Sequence, residues 1–120
     1  MVEYLIAFND DWVPEHTEEE LNAKSRVLGP LIAQMKAEGV LIFTGGLDDY
    51  QPVFSVDASS GTPVFTEGPL VDNPARIGGF AVIDVADDAE ARKWAGKIAE
   101  GCGWPQEVRR FQPHRELETT

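Results

Sequence analysis

An α+β domain, with two helices on one face of an antiparallel sheet, is the fold this sequence predicts, on three observations. Short β-prone runs at 2–8, 40–44, 79–85 and 107–112 alternate with two longer stretches of helical periodicity. Each helical stretch opens on a capping residue with Glu three places on: Thr17 with Glu20, and Asp87 with Glu90. The chain has 120 residues, 42% of them hydrophobic, enough for one core without staples.

The elements follow in order. Val2 to Phe8 has only Glu3 as a polar member, which suits a strand covered on nearly both faces. A polar loop over 9–16 leads to Thr17, and Glu18 and Glu19 suit the positive end of the helix that follows. Leu21, Lys24, Leu28, Leu31, Ile32 and Met35 trace a helical stripe whose only polar member is Lys24. Gly29-Pro30 interrupts this stripe and predicts a kink or a break into two pieces. Gly39 has the chemistry of a helix C′ residue. The strand 40–44 then enters the Gly45-Gly46 doublet. Residues 53–57 and 62–66 flank Ala-Ser-Ser-Gly, the pattern of a hairpin, with Pro63 at an edge or near a strand start.

Phe65-Thr66-Glu67-Gly68-Pro69-Leu70 brings a carboxylate to a rigid Gly-Pro corner, expected at the rim of a sheet. Gly78-Gly79 opens the strand over 79–85 and predicts a close backbone approach rather than a phosphate loop. Ala91, Trp94, Ala95 and Ile98 form the apolar face of the second helix, which Gly101-Cys-Gly-Trp-Pro105 ends. A last strand spans 107–112, and 114–120 is a tail with nothing to bury. Without the hairpin, the order is β-α-β-β-α-β, the ferredoxin-like plan. Such a plan leaves one sheet face bare of helices, and a homodimer joined face to face covers it economically.

The formal charge of −11 disfavours nucleic acid and anionic membrane surfaces as partners. Arg109-Arg110 and the pair Lys93 and Lys97 are too sparse for a basic stripe. Cys102 is the lone cysteine, which points to a reducing, cytoplasmic setting without disulfides. The start is acidic where a signal peptide is basic, and its apolar run is too short to span a bilayer.

The residues Glu67-Gly68-Pro69-Leu70, Gly78-Gly79-Phe80-Ala81-Val82, Asp87 to Ala91, Trp94-Ala95 and Glu107-Val108-Arg109 occur in an order that resembles the YCII-related domain family. The likeness is to the branch named for a D-G-P-F motif, and Ala37-Glu38-Gly39-Val40-Leu41 is similar too. It covers residues 1–113, which defines the domain. The resemblance implies a dimeric α+β barrel with a pocket in each subunit, within a superfamily that includes enzymes of small organic molecules. Glu67 and Leu70 stand where that branch has Asp and Phe, and Leu28 stands where other members carry a helix His. A His–acid catalytic pair is therefore unsupported.

Glu67 is the candidate general acid or base, and Asp72 the acid that would share its pocket; either also suits a loop carboxylate. Arg76 and Arg109 are candidate clamps for an anionic substrate, or structural partners of those acids. Tyr4 and Phe80, on adjacent strands, are candidate cavity walls or plain core. His16, among Asp10, Asp11, Glu15 and Glu18, lacks metal-ligand spacing, and His114 lies in the tail. No metal or cofactor is expected. The leading expectation is a cofactor-independent enzyme acting on a small organic molecule near Glu67. A non-catalytic dimeric module that binds a small molecule or a partner is the alternative.

Overall fold

Antiparallel pairing of four strands organises the chain, described in a computed structural model over residues 1–9, 12–48, 54–70 and 76–113. The elements are β1 (Val2–Asn9), α1 (Glu18–Ala37), β2 (Leu41–Gly46), β3 (Phe54–Asp57), β4 (Val64–Glu67), β5 (Ile77–Val85), α2 (Asp88–Cys102) and β6 (Glu107–Arg110). The main sheet has the order β2-β5-β1-β6, and β3 and β4 form a separate two-stranded sheet. This is the ferredoxin-like plan with an added hairpin.

Both helix starts form as the sequence predicts. Thr17 makes a capping box with Glu20, and the Asp87 side chain accepts from the Glu90 amide at 2.9 Å. Gly39, at φ 72°, ends α1: its amide donates to the Lys36 carbonyl at 3.1 Å and that of Val40 to Met35 at 3.0 Å. The pair of bonds is a Schellman motif. Gly103, at φ 76°, ends α2 in the same left-handed conformation.

The expected break at Gly29-Pro30 does not occur, for α1 runs through Pro30 as one helix of 20 residues. Pro30 and Arg26 are both exposed, so water reaches the Arg26 carbonyl that Pro30 leaves without its helical donor.

Strand register sorts the core from the open face. Tyr4 faces Ile83 and Ile6 faces Ala81, and all four are buried beneath the helices with Met35, Val85, Ala91 and Trp94. Alternation then places Leu5, Ala7, Phe80 and Val82 on the face without helices, where Arg109 lies opposite Leu5. Ile77 and Phe43 extend that face and stay 47% and 56% exposed. The predicted close approach is real at Gly79, where an added Cβ would lie 3.0 Å from the Phe8 ring and 3.1 Å from the Gly45 carbonyl.

The Glu67 corner ends a strand, as expected, and the sheet it borders is the separate hairpin, because β4 pairs with β3 alone. Gly68, at φ 82°, makes the turn, and the Ser55 hydroxyl donates to its carbonyl at 2.8 Å. The tail 114–120 lies outside the described residues. Among those described, no helix is long and apolar enough to cross a membrane.

Candidate functional site

An open crevice of about 210 Å³ with a mainly apolar lining lies between the helices and the sheet. Helical spacing sets Leu28 and Ile32 of α1 against Ile98 and Cys102 of α2, and β1 supplies Ile6 and Phe8 beneath them. Gly45 and Gly46 leave room at one end, since neither carries a side chain. Polar groups are few: the Thr44 hydroxyl, the Cys102 thiol and the Gln106 amide. A small, mainly uncharged organic molecule suits that chemistry.

An aromatic and cationic cluster borders the crevice. Trp104 packs against Phe8 at 5.1 Å and against His16 at 5.9 Å between ring centroids. The Lys24 ammonium sits 5.4 Å from the Trp104 ring and donates to the Cys102 carbonyl, tying α1 to the C-terminal end of α2. This accounts for the one polar residue in the α1 stripe. Cys102 is buried, and its sulfur accepts from the Gln106 side-chain amide at 3.2 Å.

The residues singled out from the sequence do not converge. Tyr4 lines a cleft of about 590 Å³ between α2 and β6, with Asp88, Arg92 and Arg110. There the Arg92 guanidinium hydrogen-bonds to Asp88, which raises its pKa further. Phe80 borders the apolar crevice, but alternation turns its ring to the open face, where it meets Phe43 at 5.8 Å. Arg109 lines a third space, a groove of about 250 Å³ on the open face with Leu5, Ala7, Trp12, Ile77 and Glu107. Tyr4 and Phe80 do sit on adjacent strands, but their alternation puts the two side chains on opposite faces.

Glu67 and Arg76 are exposed, and none of these three spaces includes either of them. For Glu67 the reason is the separation of the hairpin from the main sheet. Asp72 lies outside the described residues, as do His114 and the Asp10 and Asp11 neighbours of His16. Among the described residues, no group of three His, Cys, Asp or Glu side chains could hold a metal ion.

Sequence reasoning missed the crevice. Its walls were visible as apolar stripes, but a stripe does not reveal that facing side chains leave space between them. The Gly45-Gly46 doublet was the available signal, since two missing side chains beside a sheet make room.

The sequence profile of the YCII-related domain matches residues 4–104, most of the chain. No curated protein matches it.

Proposed function

Because the chain belongs to the YCII-related domain family, in which a fold alone assigns no reaction, we propose its function from the crevice. The protein is a homodimeric module that binds a small, mainly apolar organic molecule between its helices and its sheet. The observation that carries this reading is the glycine-ended apolar crevice with three polar groups. The Glu67-Gly68-Pro69-Leu70 corner supports reading it as a member of the D-G-P-F branch. Dimerisation covers the open face, where Phe43 and Ile77 are each about half exposed. A neutral bicyclic probe, indole, tests the crevice. Wild type should melt at a higher temperature with indole, whereas Leu28→Trp, which fills the space, should not respond. An unchanged melting temperature for wild type would sink this reading.

One observation favours a second reading, the cofactor-independent enzyme. Glu67 shares one hairpin face with Phe54, Val56 and Phe65, so a covered hairpin would hold a carboxylate against aromatic walls. Asp72 and Arg76, which follow the corner in sequence, are the other residues of this reading. Glu67→Gln should then keep the fold and abolish turnover; undiminished turnover rules the enzyme reading out.

A further inference from the structure

Pairing of Phe54 with Glu67 and of Val56 with Phe65 puts all four side chains on one hairpin face. The three apolar members stay 63%, 52% and 67% exposed, and the Phe54 and Phe65 rings meet at 6.0 Å. Among the described residues, the strand hydrogen bonds of β3 and β4 run only between these two strands. A hairpin with an uncovered aromatic face is marginal by itself in water. The Cα radius of gyration, 17.1 Å, exceeds the roughly 14 Å of a compact chain this long. This hairpin, a separate two-stranded sheet, is termed the arm.

The open face of the main sheet carries a complementary feature. The groove there has an apolar floor of Leu5, Ala7 and Ile77, and Arg109 stands on its wall beside Glu107. Neither Arg109 nor Glu67 has an ion-pair partner among the described residues. Among the described residues, one surface is thus aromatic with an unpaired carboxylate, and the other mixes aliphatic and aromatic side chains with an unpaired guanidinium.

We propose that the β3–β4 arm of one copy docks in the Arg109 groove of a second copy, with Phe65 on the apolar floor and Glu67 paired to Arg109. The inference rests on the dimer proposed above. A two-fold axis makes the exchange reciprocal, so each dimer holds two such sites and neither is complete in one chain. The occupant is a second copy because both halves of the match lie on this chain and its shape suits it. The chain is a slab of 47 × 43 × 19 Å, whose broad face exceeds the roughly 800 Å² that each partner buries in a standard interface. A guanidinium and a carboxylate meeting there form a bidentate pair that fixes register.

Charge reversal tests the pairing. The dimer dissociation constant is measured by sedimentation for wild type, Glu67→Arg, Arg109→Glu, the two combined, and Thr66→Arg. Thr66 points from the opposite hairpin face and serves as the control. Each single reversal should weaken the dimer roughly tenfold or more, as reversed charges at a desolvated contact do. The combined variant should recover most of that loss, and Thr66→Arg should match wild type. Single variants as tight as wild type would overturn the docking while leaving the dimer itself standing. So would a combined variant no tighter than the singles, or an equal loss at Thr66→Arg. A monomeric wild type would instead overturn the dimer reading.

Discussion

Ile6 and Val85 in the main sheet are each 1% exposed, whereas Phe54 and Phe65 in the hairpin are 63% and 67% exposed. Both pairs sit on strands of similar apolar character, so strand propensity does not explain the contrast. What differs is the cover. Two capped helices lie over one face of the main sheet, and no element of the described chain lies over the hairpin's aromatic face. The main sheet therefore folds as a unit within one chain, and the hairpin has apolar surface to offer elsewhere. Stability belongs to the first region, and the proposed assembly to the second.

The largest effect that separates the regions is expected at Trp94, fully buried in the core. Trp94→Ala should cost about 3–5 kcal/mol in denaturant unfolding. Phe65→Ala, measured below the dimer dissociation constant, should cost less than about 0.5 kcal/mol despite removing a ring of comparable kind. Equal losses at the two sites would erase the distinction.

Next in size is Gly79→Ala, where the new Cβ meets the Phe8 ring and the Gly45 backbone. A loss of about 1–3 kcal/mol is expected, since strand backbone cannot yield as a side-chain tip does. Thr17→Ala should cost about 1 kcal/mol by removing the α1 cap, with chemical denaturation as the readout.

The smallest effect belongs to the hairpin turn. The Ser59 amide donates to Asp57 at 2.8 Å and, with the Ser59 side chain, holds that carboxyl below its usual 3.8. A lowered carboxyl pKa favours the folded turn above the usual value, and that advantage disappears as pH falls through the folded value. Carboxyl titration by NMR should show an Asp57 midpoint below 3.8; a midpoint at or above it contradicts the turn geometry.

Much of the fold was legible because its signals are local. Thr17 with Glu20, Asp87 with Glu90, and Gly39 each act within a few residues of chain, so their chemistry appears directly in the sequence. Whether Pro30 breaks α1 was not legible, because its cost depends on whether water reaches the freed carbonyl, which is a property of the folded surface. The site was less legible. The Glu67-Gly68-Pro69 corner was correctly read as a rigid turn, but its motif does not say which sheet it borders. Tyr4, Phe80 and Arg109 were close in strand order, yet register distributed them over three separate spaces. Crevices arise from long-range packing of α1 on α2, and no spacing rule encodes their volume.

Sedimentation equilibrium of wild type over a range of concentrations tests most directly that the uncovered face and arm exist for a second copy. A species of twice the 13.2 kDa chain mass, dissociating only on dilution, is the predicted result. A single component at the chain mass, persisting at high micromolar concentration, would contradict it.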